Sequence, residues 1–147
     1  MPDCIFCKIV AGEIPAFKVY EDGDTIAFLD INPSAVGHTL VVPKRHARDV
    51  FEIDDVSLKA VAATAKLIAG KIRSVLGADV TILQNNGRVA GQAIDHMHVH
   101  VIPRRAGDRL PFAHIGPHAS PEALADVQKR LMGAERVREA LSEWDKL

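Results

Sequence analysis

Three histidines at alternate positions, His96, His98 and His100, limit what this 147-residue chain can fold into more than any other feature. Successive side chains of a β-strand point to opposite faces of its sheet, so imidazoles at period two share one face. On a helix the same spacing would spread them over about 200°. The residues between and after them are apolar and include Val and Ile, which favour strands. The run therefore predicts a strand over 95–104 with a histidine face.

A surface strand with incidental polar positions would need no further explanation, but three neighbouring imidazoles resist joint protonation and add nothing to folding. Two functional interpretations fit the run better. One is a metal site and the other is phosphate chemistry, and the two can share residues.

The size and charge of the chain restrict its partners. Its 16.0 kDa suit a single domain over 1–147, and a formal net charge of -1 does not favour a nucleic-acid polymer as partner. We therefore expect a small ligand. No apolar run reaches the roughly 20 residues that span a bilayer, and the N-terminal residues show no basic n-region followed by an apolar h-region. We therefore expect no membrane partner and a cytoplasmic location.

Hydrophobic patterns and turn residues predict a mixed order of strands and helices. A short N-terminal helix begins after a cap at Asp3 and ends near Gly12, and one long helix covers Asp54 to Leu76 and ends at Gly77. A last helix or pair of helices starts at Ser120, with a weak point near Gly133. Strands are predicted over 17–20, 25–29, 38–42, 78–84 and 95–104. Strands in runs around one long helix indicate an α+β fold with an antiparallel sheet.

Zinc is the first candidate for the histidines. Cys4 and Cys7 form the CxxC pair of this chain, and with His46 and one histidine of the run they make a Cys2His2 set. These residues lie far apart in the sequence, unlike those of a zinc finger. Their spacing alone leaves zinc and two reduced, buried cysteines as open alternatives.

Phosphoryl transfer is the second candidate. A neutral imidazole attacks phosphorus well when one ring nitrogen faces the phosphate and the other donates to a fixed carbonyl. Flanking imidazoles can stabilise the charge that builds on the phosphate oxygens. His98 has a histidine on each side and is the best-placed nucleophile of the three.

The run also carries a family resemblance. His96-x-His98-x-His100 followed by Val101-Ile102-Pro103 resembles the signature of the histidine triad (HIT) superfamily. The segments 4–15, 27–31, 37–46 and Gly91-Gln92 follow in family order and spacing. The resemblance covers about 3–105, leaves 106–147 as a C-terminal extension, and is strongest to the zinc-bearing, Hint-like bacterial branch.

The resemblance implies a sheet of about five antiparallel strands, a homodimer formed through the long helix and sheet edges, and a cleft for an AMP-like purine nucleotide. It implies that His98 takes a nucleotidyl group while His100 and His38 contact the phosphate. Asp30 would hold the ribose hydroxyls, Asn85 would lie on the leaving-group side and Gln92 in the phosphate loop. The base pocket would comprise Phe6, Ile9, Ile14, Phe28 and Ile31, and the zinc ligands would be Cys4, Cys7, His46 and His96.

Two departures qualify this resemblance. Ala93 stands where many members carry Ser or Thr, so a hydroxyl that would touch the phosphate is missing. The match fades beyond Arg105, and Trp144 lies too close to the end to be assigned to the Trp that some relatives place near the partner's active site. His114 and His118 are expected to be surface residues.

The sequence therefore predicts an enzyme that cleaves nucleoside phosphoramidates or related nucleotidyl conjugates at the α-phosphorus, through a nucleotidyl-histidine. Dinucleoside polyphosphates are alternative substrates. Two other classes stay open, a nucleotide-binding regulatory module with incidental hydrolysis and a purely structural zinc module.

Overall fold

A computed structural model describes residues 3–111, 117 and 119–133. Two compact units divide the chain, Met1–Phe112 and Ala113–Leu147. The first contains α1 (Ile5–Val10), β1 (Lys18–Glu21), β2 (Thr25–Leu29), β3 (Thr39–Pro43), α2 (Asp55–Lys71), β4 (Asp79–Leu83) and β5 (Val99–Arg104). The second contains α3 (Pro121–Met132). None of the described helices is long and apolar enough to cross a membrane.

The five strands form one antiparallel sheet in the order β1-β2-β3-β5-β4. This confirms the α+β fold with five antiparallel strands that the sequence predicts. Strand β3 lies at its centre and is buried throughout, between β2 and the histidine-bearing strand β5. The sheet edges are β1 and β4.

Alternation along the strands divides the core between the two faces of the sheet. On one face Val41, Val99 and Val101 pack with the α2 residues Val61 and Ile68. On the other face Phe28, Leu40 and Val42 pack with Phe6 of α1. Because Leu40 pairs with His100 across the β3–β5 ladder, the histidine side chains lie on the α1 face.

The long helix begins and ends at the expected signals. Asp54 caps α2 by accepting a hydrogen bond from the Ser57 amide at 2.8 Å. After Lys71 the helix widens into a π-helical turn, Ile72–Leu76, which ends at Gly77 in the left-handed conformation. Thr64 of α2 shares a buried hydrogen bond of 2.8 Å with Thr25 of β2, which fixes the helix on the sheet.

Two predicted boundaries are wrong for a structural reason, while the ends of β1, β3 and β4 lie one residue from their predicted positions. The cap of α1 is Cys4 rather than Asp3, because the Cys4 sulfur accepts from the Cys7 amide at 3.4 Å. Strand β5 begins at Val99, three residues after His96. The ladder with β3 ends at the pair Val41 and Val99, and the Met97 amide instead donates to the carbonyl of Ala47. His96 and His98 therefore lie on the segment that leads into the strand.

The C-terminal helix starts where the sequence predicts. Ser120 caps α3 by accepting from the Ala123 amide at 3.1 Å, Pro121 occupies the first turn, and the helix ends at Gly133. Its apolar residues Leu124, Val127 and Leu131 are exposed. A further helix after Gly133, and the predicted positions of His114, His118 and Trp144, lie outside the described residues.

Candidate functional site

A cavity of about 400 Å³ lies against the histidine face of the sheet. Its walls come from α1, the segment that follows it, the end of β2 and the start of β5. Most lining residues are apolar, whereas Asp30, His98 and His100 supply polar groups. The apolar lining comprises Ile5, Phe6, Ile9, Ile14, Pro15, Ala16, Phe17, Phe28, Leu29, Ile31, Leu40, Ala93 and Ile94. Such a lining with a few convergent polar groups is typical of small-molecule sites.

His98 is held in one tautomer by the backbone. Its Nδ1 lies 2.7 Å from the carbonyl oxygen of His96, and since a carbonyl only accepts, Nδ1 carries the proton. The other ring nitrogen, Nε2, therefore has a free lone pair. Burial lowers the pKa of His98, so the ring is neutral near pH 7. A neutral, oriented imidazole is the form that attacks phosphorus.

His100 shares the cavity wall with His98, and their ring centroids are 5.0 Å apart. Its Nδ1 lies 2.9 Å from Nε2 of His38, which is buried behind it. Asp30 Oδ2 lies 3.6 Å from the same His38 nitrogen. Burial lowers the pKa of His38, and burial with the neighbouring His98 and His38 lowers the pKa of His100 to about 4. Both rings are therefore neutral near pH 7.

A second cluster lies at the N-terminal end of the same strand, formed by Cys4, Cys7, His46 and His96. The Cys4 and Cys7 sulfurs lie 3.3 and 3.6 Å from His96 Nδ1, and Cys7 Sγ lies 3.3 Å from His46 Nδ1. The two imidazole Nδ1 atoms are 3.1 Å apart. Tetrahedral zinc with its usual bond lengths needs edges of about 3.3 to 3.8 Å between such donors. The donor set is therefore close to the size that zinc requires.

The orientation of His96 also fits a metal ligand. Its Nε2 lies 2.8 Å from the carbonyl oxygen of Pro43, to which it must donate, so Nδ1 keeps its lone pair and faces the two sulfurs. Burial lowers the pKa of His96 to about 4, which keeps the ring neutral. Burial raises the pKa of the Cys7 thiol, a change that a bound cation would reverse. These residues fit a zinc ion.

Phe6 connects the two groups of histidines. Its ring packs edge-on against His96 at 5.8 Å, against His98 at 5.2 Å and against Phe28 at 5.4 Å between centroids. Because Phe6 lies in α1, one residue before Cys7, the cysteine cluster fixes the helix that forms this wall of the cavity.

The geometry of the site agrees with the family comparison. The HIT domain family model matches residues 11–107. The chain belongs to the HIT domain family. An adenosine 5'-monophosphoramidase of Schizosaccharomyces pombe is 45% identical over 102 residues, which are 69% of this chain and 74% of that protein. This confirms the resemblance drawn from the sequence.

Solved HIT structures have the same fold. A member of the HIT family from Bacillus subtilis matches with a TM-score of 0.82 and 40% identity, over 89% of this chain and 96% of that one. A Zn-bound histidine triad family protein from Mycobacterium smegmatis matches with a TM-score of 0.72 and 41% identity, over 79% of this chain and 85% of that one.

The structure brings most of the predicted site residues of this HIT chain together. All five residues predicted for the base pocket line the cavity, as do Asp30, His98 and His100. The four predicted zinc ligands form one cluster. The sequence did not single out Ile94 and Leu40 in the cavity wall, although Ile94 lies two residues before the first histidine and Leu40 two after His38.

Three predicted residues lie away from the cavity wall. His38 is buried, lies in hydrogen-bond contact with His100 and does not line the cavity, and its phosphate contact stays a prediction. The Gln92 side chain is buried, accepts from the Gly87 amide and donates to the carbonyls of Arg48 and Ile94, so that it holds the loop together. Asn85 packs under Gly91.

Proposed function

We propose that this HIT protein is a hydrolase that cleaves nucleoside 5'-phosphoramidates, or related nucleotidyl conjugates, through a nucleotidyl-histidine formed on His98. One observation carries the proposal. The His96 carbonyl accepts the Nδ1 proton of His98 at 2.7 Å, so the Nε2 lone pair is free in the ring that lines the cavity. The related S. pombe protein is named an adenosine 5'-monophosphoramidase, which supports this choice of substrate.

The reaction takes place in two displacements. The Nε2 lone pair of His98 attacks the α-phosphorus, the phosphorus–nitrogen bond breaks, and the amine leaves with the bonding electrons and takes a proton from solvent. Water then attacks the nucleotidyl-histidine, which gives the nucleoside monophosphate, restores neutral His98 and returns the proton. Overall, one water molecule is consumed for each bond cleaved.

The cavity would position an AMP-like substrate with its base among the apolar side chains. The Asp30 carboxylate accepts from the Asn32 amide through Oδ1 at 2.8 Å, and Oδ2 lies on the side of His38, so the group is held as an acceptor for ribose hydroxyls. Ala93 lines the cavity without a hydroxyl, and its replacement by Ser is expected to raise turnover if that contact is used.

Zinc is the second part of the proposal. Cys4, Cys7, His46 and His96 would hold the ion in a closed, four-ligand site whose function is structural. The ion would fix α1 against the strand and would not contact substrate.

A homodimer is the proposed assembly. Strand β4 lies at a sheet edge, with Ile82 51% exposed, and α2 presents Val56 and Leu67 to solvent. Light scattering on the eluting protein tests this, and a mass of one chain would contradict it. A cytoplasmic location and a single domain over 1–147 stay predictions.

Turnover of a fluorogenic adenosine phosphoramidate tests the proposed reaction. We expect His98→Ala to lower kcat/KM by about a thousandfold or more, because the nucleophile is lost. Intact-mass analysis of rapidly quenched samples should show a nucleotidyl adduct on the wild-type protein only. Equal turnover by both proteins would refute the role of His98. Hydrolysis of a diadenosine polyphosphate, measured with the same two proteins, tests the alternative substrate class.

A protein that binds AMP but turns over neither substrate would instead be a nucleotide-binding module. Adenine nucleotides would then raise the melting temperature while the adduct stays absent.

A further inference from the structure

The CxxC pair of this chain also has the spacing of a redox pair. Cys4 and Cys7 are free thiols, and both are half-buried rather than enclosed in the core. The spacing is shared by zinc sites and by proteins that make and break a disulfide. A structural zinc site uses only the first of these two chemistries.

The two sulfurs lie close together on one short segment of the chain. The Cys7 amide donates to the Cys4 sulfur at 3.4 Å, so the Cys4 side chain lies over the first turn of α1. Both sulfurs approach Nδ1 of His96, at 3.3 and 3.6 Å. The donor atoms of the cluster lie within 4.8 Å of one another, whereas a disulfide needs about 2.05 Å between its sulfurs. Since both cysteines belong to 4–7, closing this gap requires a change in α1 and none in the sheet.

Solvent reaches the cysteine cluster at Cys4. A second cavity, of about 700 Å³, lies beside the cluster, and its walls include Cys4 and His46. Cys7 lines neither this cavity nor the nucleotide cavity. Cys4 is therefore the sulfur that a small, neutral oxidant such as hydrogen peroxide meets first, and Cys7 is the neighbouring sulfur that can react with it afterwards.

We propose that Cys4 and Cys7 are a reversible redox pair, which hydrogen peroxide converts to a disulfide within the chain, with loss of the metal site. The zinc in this statement rests on the proposed function, whereas the disulfide does not. Zinc is held by thiolates, and the oxidised sulfurs are no longer thiolates. The oxidised chain keeps only His46 and His96 of the four ligands.

The oxidation takes two steps. The Cys4 thiolate attacks one oxygen of hydrogen peroxide, the O–O bond breaks, and Cys4 becomes a sulfenic acid while hydroxide leaves. The Cys7 thiolate then attacks the Cys4 sulfur, the S–O bond breaks, and a second hydroxide leaves. Each hydroxide takes a proton from solvent and becomes water. Peroxide gains two electrons, and each sulfur loses one. Dithiothreitol reverses the change by thiol–disulfide exchange.

Oxidation acts on the nucleotide cavity through α1. The helix follows Cys4 directly, and its residues Ile5, Phe6 and Ile9 line that cavity. The Phe6 ring also packs against the His98 ring, with 5.2 Å between centroids. A disulfide moves the sulfur that caps α1 and removes the metal that fixes this helix. We therefore expect α1 to be less ordered in the oxidised protein.

Intact mass and metal release, followed together in the full-length, zinc-loaded protein, test the redox pair. After a small excess of hydrogen peroxide, we expect a mass lower by two hydrogens, one zinc ion released per chain to a chromophoric chelator, and a peptide map with Cys4 joined to Cys7. Both changes should have the same rate, and dithiothreitol should reverse both.

Three results of this experiment would overturn the proposal. One is addition of oxygen to the sulfurs without a link between them. Another is a disulfide between chains. The third is a protein whose mass stays unchanged under peroxide that oxidises free glutathione.

Two single variants assign the order of the sulfurs, and each lacks one ligand of the cluster, so the two are matched. Cys7→Ser keeps Cys4 and removes the sulfur that reacts second, so a sulfenic acid should accumulate and be labelled by dimedone. Cys4→Ser should be labelled at least about fivefold more slowly, because the sulfur that lines the open cavity is gone. Equal or reversed rates would contradict the first attack by Cys4. If neither variant folds, the wild-type mass and peptide map still decide the proposal.

Hydrogen exchange measures the effect on α1 without reference to any substrate. In the oxidised wild-type protein, we expect the amides of α1 to exchange about tenfold or more faster, while those of the buried strand β3 keep their rates. The Kd for AMP should rise about fivefold or more, because binding must then order a wall of the cavity. Unchanged exchange in α1 would show that the redox pair does not act on the cavity.

The outcomes separate this proposal from the proposed function. A reduced protein that holds no zinc but forms the Cys4–Cys7 disulfide refutes the zinc site and leaves the redox pair intact. A reduced protein that forms the disulfide but does not turn over phosphoramidates refutes the hydrolase alone. An active, zinc-bearing enzyme that never forms the disulfide overturns the redox pair alone.

Discussion

The cysteine cluster and the His38–His100 pair lie on the same side of one sheet and differ in what occupies the space between their ring nitrogens. The ring N–H of His96 donates a hydrogen bond to a backbone carbonyl, so the lone pair on the other ring nitrogen faces two sulfurs and another imidazole. His38 accepts a hydrogen bond from a backbone amide at Nδ1, so its ring N–H is on Nε2 and faces the next imidazole. Similar separations between donor atoms thus leave lone pairs facing one another in one place and a proton between two rings in the other.

This difference teaches that proximity of histidines alone does not identify a metal site. The second hydrogen bond of each ring decides it, because a neutral imidazole has one donor and one acceptor. In this chain both deciding groups are backbone atoms, the Pro43 oxygen and the Ser34 nitrogen. A side-chain substitution therefore cannot exchange the two roles.

Loss of metal should have the largest effect on stability. It should act on the cysteine cluster and leave the His38–His100 pair unchanged. Cys7→Ala removes one of four ligands, and a bound ion present at a thousandfold above its Kd contributes about 4 kcal/mol to stability. We expect a loss of that size in urea unfolding, together with loss of zinc in metal analysis of the purified protein. His100→Gln, the control from the other group, should keep its zinc and its midpoint. Full stability of Cys7→Ala under chelation would contradict the zinc assignment.

Gly37→Ala should lower the free energy of unfolding by about 2 kcal/mol, because it strains the backbone next to His38. Gly37 has φ +97°, and an added Cβ would lie 2.6 Å from Leu76 Cδ1 and 3.2 Å from Pro103 Cγ. Since His38 follows directly, we expect lower turnover as well as lower stability, with unchanged zinc content. Thermal unfolding and the phosphoramidate assay measure both. Gly23→Ala is the control, because its added Cβ meets no atom within 4 Å.

Phe6→Leu should affect both groups moderately, since this ring touches His96 and His98. Loss of its edge-on aromatic contacts is expected to cost about 1–2 kcal/mol in denaturant unfolding. We also expect a higher KM for adenine substrates, because Phe6 lines the cavity. A variant with unchanged KM and unchanged stability would show that the two groups are independent.

Acidification should show the smallest effect. His100 has its folded pKa lowered to about 4, so the unfolded chain binds this proton at higher pH, and stability rises with pH between the two values. Stability should thus be full above about pH 6.5 and decrease as the pH falls towards 4. One histidine contributes at most about 1.4 kcal/mol per pH unit, and less here because His100 is partly open to the cavity.

Urea unfolding at pH 5.0, 6.0 and 7.5 measures this slope. We expect a shallower slope in His100→Gln than in the wild-type protein. Metal analysis at each pH separates proton uptake by His100 from release of zinc. Equal slopes in both proteins would contradict a neutral, half-buried His100.

Local signals in the sequence predicted most of the fold. Asp54, Gly77 and Ser120 cap their helices as expected because a cap depends on residues three or four positions away. The period of two placed His98 and His100 on the cavity face, opposite Val99 and Val101. The family resemblance predicted the cavity residues and the residues of the cysteine cluster.

The errors arose where distant parts of the chain meet. The cap of α1 is Cys4, whose sulfur lies 3.3 Å from Nδ1 of His96, 92 residues away in the sequence. Gln92 was predicted to lie in the phosphate loop, and its side chain donates to the backbone carbonyl of Arg48, 44 residues earlier. His38 was predicted to contact the phosphate, and its ring nitrogen Nε2 lies 2.9 Å from Nδ1 of His100; the phosphate contact stays a prediction.

The sequence by itself determined which residues this protein has for chemistry and which face of the sheet they share, because both follow from residue type and strand period. Only the tertiary structure decided what each histidine can do. A ring nitrogen becomes a donor or an acceptor according to the backbone group placed opposite it. The Pro43 oxygen, at the end of β3, and the Ser34 amide, in the loop before that strand, face His96 and His38 only when the sheet is folded.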